Sequence, residues 1–171
     1  MKQIGLLADT HGHYDPRIEH FFAACDELWH VGDFGSIEIA DRLAAFKPLR
    51  GVYGNIDGPE IRDRFPLDLR FDCEGLDVWM THIGGYPGRY DRRVRDRLRA
   101  DPPGLFISGH SHILKVKPDK QLGLLHLNPG AAGNQGFHQL KTMMLLRIKD
   151  GAVHKLQAVD LGPRGARLPK K

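Results

Sequence analysis

Apolar runs alternate with polar turns along the first third of the chain. Residues 3–8 form an apolar run typical of a strand buried on both faces, and residues 28–31 and 49–53 repeat it. Apolar residues at helical spacing follow the first two runs, after Asp15-Pro16 and after Ser36, whereas a third helix is weak or missing. This alternation predicts parallel strands joined by crossover helices.

Strand-like segments dominate the pattern beyond Pro59. Helical spacing returns only over residues 90–100, and turns are predicted at 74–75, 128–130 and 150–151. The predicted strands cover residues 65–73, 76–81, 105–108, 114–117, 122–127, 143–148 and 153–159. We see no internal repeat and no linker, and we therefore expect one mixed α/β domain with two packed sheets.

Size and composition narrow the class of protein. A chain of 171 residues suits one well-buried core, and no apolar run approaches the ~20 residues that span a bilayer. The N-terminus becomes charged too early for a signal peptide, so we expect a cytoplasmic protein without a membrane partner. Cys25 and Cys73 lack metal-binding spacing and are expected to be free thiols, although a disulfide between them stays open.

The positive net charge of +4 is concentrated at the C-terminus. Residues 164–171 carry two arginines and two lysines without an acid. We predict a domain over residues 1–160 and a basic, flexible tail over residues 161–171. Nucleic acid is a possible partner but is not favoured by charge alone.

Polar side chains stand where the predicted strands end. Asp9, Asp33 and Asn55 follow the three parallel strands, and ligands of such sheets bind beyond the carboxyl ends of the strands. Asp9 and His11 are two residues apart and can face the same side of an extended turn, a spacing that recurs later in the chain. The full set of candidate ligands is Asp9, His11, Asp33, Asn55, His82, His110 and His112.

Two carboxylates, one amide oxygen and four imidazoles suit Mn, Fe, Zn, Ni or Co. Seven ligands are too many for one such ion and suit two ions if a carboxylate bridges them. Ions ~3.5–4 Å apart lower the pKa of a shared water, so that a bridging hydroxide is available, and they neutralise charge on a phosphate. Each residue alone has a plainer role, as a cap, a turn former or a core histidine, but seven together favour metal binding.

The order Asp9-x-His11, Gly32-Asp33, Gly54-Asn55-x-Asp57, Thr81-His82 and Gly109-His110-x-His112 resembles the calcineurin-like metallophosphoesterase superfamily. The short length, Asp-Thr-His-Gly at the start and Asn128-Pro129-Gly130 resemble its small bacterial and archaeal phosphodiesterase branch, whose fold the small subunit of retromer shares. The resemblance spans about residues 1–160.

This resemblance implies a four-layer αββα sandwich with two divalent metals, best Mn, at the carboxyl ends of strands. One metal would be held by Asp9, His11 and His112, and Asp33 would bridge to the second. Asn55, His82 and His110 would hold that second metal. We expect a catalytic role for Asp33, Asn55 and His82, together with the metal-bridging water.

One departure from the family pattern affects the expected chemistry. Many members carry a histidine directly after the Gly-Asn pair, where it can protonate the leaving group, but this chain has Ile56. The phosphodiesterase branch often lacks that histidine too. A general acid contributes ~10²–10⁴-fold, so we expect a preference for leaving groups that depart without a proton. Asp57 is expected to orient a ligand histidine.

Other residues are candidates for supporting or substrate-binding roles. His13 and His30 are near the ligands in sequence, and Tyr86 and Arg89 follow the His82 loop, where they would line a substrate entrance. The plainer interpretation of the arginine run over residues 89–99 is a solvated helix face with ion pairs.

Three functions stay open at this point. The first is a phosphodiesterase that acts on a phosphate-ester small molecule or a nucleotide. The second is a phosphomonoesterase or nucleotide pyrophosphatase, and the third is a non-catalytic binding scaffold, which the intact ligand set disfavours. A homo-oligomer is plausible because of exposed strand edges and the apolar 143–146 region.

Overall fold

The computed structural model describes residues 1–165, which form two five-stranded mixed sheets. The first sheet has the order β12-β11-β1-β2-β3. Its strands are β1 (Lys2–Leu7), β2 (Glu27–His30), β3 (Leu49–Gly51), β11 (Leu140–Lys149) and β12 (Ala152–Pro163). β1, β2 and β3 are parallel, as predicted, whereas β11 runs antiparallel to both neighbours.

The second sheet has the order β4-β5-β8-β10-β9. Its strands are β4 (Asp68–Cys73), β5 (Leu76–Thr81), β8 (Leu105–Ile107), β9 (Leu114–Asp119) and β10 (Leu124–Pro129). β5, β8 and β10 are parallel, and β4 and β9 are antiparallel edges. A small hairpin of β6 (Gly85–Tyr86) and β7 (Arg89–Tyr90), which the sequence pattern did not predict, follows β5.

Within residues 1–165, four helices cover the outer faces of the sheets. They are α1 (Arg17–Phe21), α2 (Ile37–Phe46), α3 (Pro59–Arg64) and α4 (Arg92–Ala100). The short α3 lies where the pattern predicted a weak or missing helix, and a proline in its first turn suits a helix start. α1, α2 and α3 cover the first sheet and α4 covers the second, so the predicted α/β sandwich of two sheets is confirmed.

The main core lies between the two sheets. Ile4 and Leu6 of β1 point into it together with Val78 and Met80 of β5. Leu7 points to the opposite face, where it packs under the helices. Both faces of β1 are therefore apolar, which explains the continuous apolar run in the sequence.

Two tight hairpins use the predicted turns, with Glu74-Gly75 between β4 and β5 and Asp150-Gly151 between β11 and β12. Asp150 and Gly151 both have positive φ, at 50° and 75°, and join β11 to β12 as expected for an Asp-Gly pair. The turn predicted at residues 128–130 is wrong in position. Asn128 and Pro129 end β10, and the chain turns only at Gly130, whose N–H donates to Asn128 Oδ1 at 2.9 Å.

The structure also tests several smaller expectations. Both cysteines are buried and free, as predicted. Residues 143–146 lie in β11 between two strands, and Met143, Met144 and Leu146 are buried, so the apolar surface proposed for an oligomer does not exist there. Within residues 1–165, no helix is long and apolar enough to cross a membrane. β12 extends three residues beyond position 160, and residues 166–171 of the expected tail lie outside the described residues.

Candidate metal centre

Loops from both sheets bring together the six candidate ligands that are aspartates or histidines. Asp9 follows β1 and Asp33 follows β2, whereas His82 and His110 follow β5 and β8 of the second sheet. The six residues form two groups, and in each group the potential ligand atoms lie within 4.8 Å of one another. The groups are Asp9, His11 and His112, and Asp33, His82 and His110.

Each carboxylate uses one oxygen for the fold and presents the other to the histidines. Asp33 Oδ1 accepts a hydrogen bond from Ile56 N at 3.1 Å, and Asp33 Oδ2 lies 3.4 Å from His11 Nε2 and 3.2 Å from His82 Nε2. Asp33 Oδ2 therefore faces both groups. Asp9 Oδ2 accepts from the N–H of His110 at 3.1 Å, and Asp9 Oδ1 lies 3.2 Å from His112 Nε2.

Three of these atoms are buried without a hydrogen-bond partner among the described residues: Asp9 Oδ1, His11 Nε2 and His82 Nε2. Buried polar atoms are nearly always paired, because an unpaired one costs about 1–3 kcal/mol. Here the orphaned atoms face one another and comprise one carboxylate oxygen and two ring nitrogens. Such a donor set fits a divalent cation of the borderline class.

The hydrogen bonds of the rings fix which nitrogen faces the site. His82 Nδ1 lies 2.7 Å from the carbonyl of Val31, so it donates there and leaves the Nε2 lone pair free. His138 Nε2 donates to Gly133 O at 2.8 Å, and therefore His138 Nδ1 accepts from Nδ1 of His112 at 3.1 Å. His112 consequently presents its Nε2 lone pair beside Asp9 Oδ1, so that both atoms are available as ligands of one cation.

His138 is a supporting residue that the sequence reasoning missed. It is 26 residues from His112 and follows no strand end, so no motif pointed to it. The neighbouring Gly136 explains the close approach, since a Cβ at that position would lie 2.2 Å from His112 Nδ1.

The charges of the site reinforce one another. The nearby carboxylates of Asp9 and Asp33 raise the pKa of His11 above its usual value, against the effect of burial. Burial lowers the pKa of His82, but the nearby carboxylates of Asp33 and Asp9 outweigh this effect and raise it. Burial likewise opposes ionisation of both aspartates, yet their histidine neighbours hold the carboxyl pKa values below the usual range. The carboxylates of Asp9 and Asp33 are thus arranged to attract a cation.

Five of the seven candidate ligands share an uncommon backbone conformation. Outside glycine, seven described residues have positive φ, and two of them, Glu74 and Asp150, belong to hairpin turns. The other five are Asp9 (53°), His11 (47°), Asp33 (58°), His110 (67°) and His112 (60°). Non-glycine residues in this region are uncommon and concentrate at functional sites, where surrounding structure holds them.

Asp57 and His30 supply part of that surrounding structure. The prediction that Asp57 orients a ligand histidine is wrong, because its carboxylate instead accepts from the backbone N–H groups of Asp33 (2.9 Å), Gly54 (2.8 Å) and Gly35 (3.0 Å). Carboxylate oxygens are strong acceptors, and here they join the loops that carry Asp33 and Asn55.

His30 is fully buried and stacks on Phe34. Burial lowers its pKa to about 3, and the neutral ring accepts from Gly32 N at 3.1 Å and donates to Thr10 Oγ1 at 3.0 Å. The Thr10 hydroxyl donates in turn to Phe34 O at 3.0 Å. His30 therefore ties the Asp9–His11 loop to the Asp33 loop.

The remaining predicted residues divide between the opening of the site and its surroundings. Asn55 and the exposed Ile56 line an opening of about 260 Å³ together with His11, Asp33, His110, Ser111, His112, Gly136 and Phe137. His13 belongs to neither group of candidate ligand atoms and does not line this opening. Tyr86 and Arg89 line a second cleft beside His110.

Three arginines of the run over residues 89–99 form ion pairs on a helix face, as the plainer interpretation predicted. Arg93 pairs with Asp68 at 2.7 Å, Arg95 with Asp96 at 3.2 Å, and Arg97 lies 3.7 Å from Asp68. The three arginines lie on α4, and their ion pairs stabilise its solvent-facing side. Arg89 on β7 is separate from this face.

Residues 1–151 match the family model of the calcineurin-like phosphoesterase superfamily domain. No curated protein matches the chain by sequence. The structure is similar to that of an archaeal phosphodiesterase, with 19% identity, a TM-score of 0.75, and coverage of 93% of this chain and 99% of the other.

Two further solved structures share the fold. A predicted phosphoesterase of Streptococcus pneumoniae has 18% identity and a TM-score of 0.65, covering 93% of this chain and 97% of the other. The Zn²⁺ complex of Vps29 from Entamoeba histolytica has 20% identity and a TM-score of 0.67, covering 92% and 98%. At these identities the likeness establishes the fold alone.

Proposed function

The chain belongs to the calcineurin-like phosphoesterase superfamily, and from this premise we propose that it is a metal-dependent phosphodiesterase. The observation that carries the proposal is the cluster of orphaned, buried ligand atoms around Asp33 Oδ2. One cation would be held by Asp9, His11 and His112, and the other by His82, His110 and Asn55. Asp33 would contact both cations, because its Oδ2 faces both groups.

Two such ions, when bound, supply an activated water and neutralise charge on the phosphate. The donor set of carboxylate, amide and imidazole suits Mn²⁺, which we favour, and also Fe, Zn, Ni or Co. The Zn²⁺ complex of Entamoeba Vps29 supports divalent metal binding by this fold.

The opening of the site supports a diester rather than a monoester as substrate. None of the residues that line it is lysine or arginine, whereas Ile56 and Phe137 expose apolar side chains there. A monoester carries about two negative charges near neutral pH and a diester one, so a monoester would gain more from a cationic side chain at this place. An apolar rim suits the second organic group of a diester.

The side chains at the opening also indicate how the leaving group departs. Ile56 stands where many family members have an acidic histidine, and it cannot protonate an alkoxide. Its backbone N–H instead holds Asp33 in place. We therefore propose that the preferred substrates have leaving groups of low pKa, and that Asn55 contributes amide N–H groups to the substrate phosphate.

A protein-binding scaffold is the second candidate, because Vps29 structures share the fold. The intact ligand set favours catalysis over this alternative. We further propose a cytoplasmic location, which the two buried free thiols support.

The test uses bis-p-nitrophenyl phosphate and p-nitrophenyl phosphate with metal-stripped protein to which Mn²⁺ is restored. Asp33→Asn keeps a carbonyl oxygen that can accept from Ile56 N–H but removes the negative charge between the two groups. We expect metal-dependent turnover of the diester, little turnover of the monoester, and a fall of at least ~10²-fold in the variant.

Asp41→Asn is the matched control, because Asp41 is an exposed aspartate paired with Arg64 on the helices. It should behave like the wild type. Metal binding without cleavage of either ester would favour the scaffold. Preferential turnover of the monoester would transfer the proposal to a phosphomonoesterase.

A further inference from the structure

A second cleft, of about 190 Å³, opens directly beside His110. Gly84 and the β6–β7 hairpin form one wall, and the start of β9 and the end of β10 form the other. Ile83, Ile113 and the ring of Tyr86 give this cleft an apolar lining, and Ser111 lines both it and the opening of the metal centre. A group bound here would therefore be adjacent to a phosphate at the metal centre.

His126 lies at the floor of this cleft and is fully buried. Its Nδ1 donates to the carbonyl of Phe106 at 3.1 Å, which leaves Nε2 as an acceptor. Within the described residues Nε2 has no hydrogen-bond partner. Burial lowers the pKa of His126 to about 4, so that the ring is neutral near pH 7 and Nε2 keeps its lone pair.

The residues at the mouth add an aromatic surface and a free cation. Lys115 Nζ lies 3.6 Å from the centre of the Tyr86 ring, a cation–π contact that restricts the orientation of this ring. Arg89 forms no ion pair with any described carboxylate, and the nearby Asp91 is occupied as the N-cap of α4. Arg89 is thus available to attract a phosphate-bearing ligand.

We propose that this cleft is the subsite for the organic group of the substrate, and that it takes a nucleoside-like group. In this arrangement the aromatic ring of the ligand packs against Tyr86, and an N–H or O–H of the ligand donates to His126 Nε2. The inference deepens the proposed function and rests on it, since it assumes that the phosphate lies at the metal centre.

Three diesters with the same leaving group test the subsite: the p-nitrophenyl esters of thymidine 5′-phosphate, phenyl phosphate and methyl phosphate. Thymidine offers a ring and donors, phenyl offers only a ring, and methyl offers neither. We expect kcat/KM of the Mn²⁺-loaded wild type to fall in that order.

His126→Phe removes the acceptor, and the ratio of kcat/KM for the thymidine ester to that for the phenyl ester should fall about tenfold. Tyr86 is only half-buried, so Tyr86→Ala should fold normally. It should lower the ratio of the phenyl to the methyl ester about five- to tenfold. His126→Gln, which retains an acceptor, should recover part of the first ratio.

Equal losses on all three esters in both variants would overturn the subsite, because a structural defect would affect them alike. If the wild type cleaves none of the esters, the proposed function fails, and binding of thymidine 5′-monophosphate measured by calorimetry decides the subsite. Binding that weakens in both His126→Phe and Tyr86→Ala would support it. Absent binding, or binding unchanged in the variants, would refute it.

Discussion

His138→Ala should weaken only one of the two proposed metal sites. His138 is the sole described side chain that hydrogen bonds to a ring nitrogen of a ligand histidine, since the partner of His82 is the backbone carbonyl of Val31. Removing it leaves the Nδ1–H of His112 without its acceptor and frees the ring to adopt the other tautomer. The Asp33, His82 and His110 group has no contact with His138 and should keep its affinity.

The size of the loss follows from the geometry. Loss of a residue that orients a metal ligand costs 10- to 100-fold in affinity. The hydrogen bond here joins two neutral rings at 3.1 Å, and the His112 side chain is 12% exposed, so that water can replace part of the contact. We therefore expect the lower limit, about tenfold or 1.4 kcal/mol.

Competition between the metal-stripped protein and a chromophoric chelator for Zn²⁺ measures both affinities. His154→Ala is the control, because His154 also bonds to a backbone carbonyl, that of Lys149 at 2.9 Å, but lies exposed on β12 away from the site. His138→Gln keeps an acceptor and should recover most of the affinity. Unchanged affinity in His138→Ala, or an equal loss at both sites, would refute the assigned tautomer chain.

Three further experiments, with five substitutions, test other features of the structure. Ile56→His should raise kcat for methyl p-nitrobenzyl phosphate, whose leaving group is an alcohol, about 10- to 100-fold without a similar gain for p-nitrophenyl esters. Gly54→Ala places a Cβ 2.0 Å from Asp33 Oδ1 and should lower diesterase activity about 10²-fold, whereas Gly58→Ala meets nothing within 4 Å and should not. The buried Lys141 Nζ donates to the Asp15 carboxylate. Lys141→Met should change the free energy of unfolding by less than about 1 kcal/mol, because Asp15 keeps two side-chain hydrogen bonds from Arg17. Asp15→Asn leaves Lys141 buried without its carboxylate partner and should lower the free energy of unfolding, measured in urea, by about 3–5 kcal/mol. Although burial opposes ionisation, Arg17 lowers the pKa of Asp15 from 3.8 to about 2, so this difference is present above pH 4 and disappears towards pH 2.

The sequence pattern predicted the elements best where hydrophobic and turn signals agreed. The strand over residues 76–81 has the predicted bounds, because its apolar residues end at a polar histidine and begin after a glycine turn. Placing Asp9, Asp33 and Asn55 at the ends of three parallel strands was enough to predict that they lie at one edge of the sheet, since parallel strands of one sheet share that edge. The grouping of the candidate ligands into two sets was implied by the family resemblance. Neither the spacing of the residues nor the composition predicted it.

Contacts that depend on loop shape were not predictable in this way. His138 reaches His112 only because Gly136 lets the backbone pass close to the ring. Asp57 binds backbone N–H groups, and such partners leave no signature in the side-chain pattern. The β6–β7 hairpin has two residues in each strand, too few for alternation to be visible.

The positive φ angles and the buried acceptors together explain how the site keeps its shape. Five ligand residues in left-handed conformations would each cost about 1 kcal/mol, which is large against the net stability of a domain. Asp57 and the His30–Thr10 pair offset this cost with hydrogen bonds made to the same loops. The conformation is therefore held by groups that are not ligands, so the ring nitrogens and carboxylates are arranged before any cation arrives. Metal binding then need not also order the loops, and its free energy is available for affinity rather than for folding.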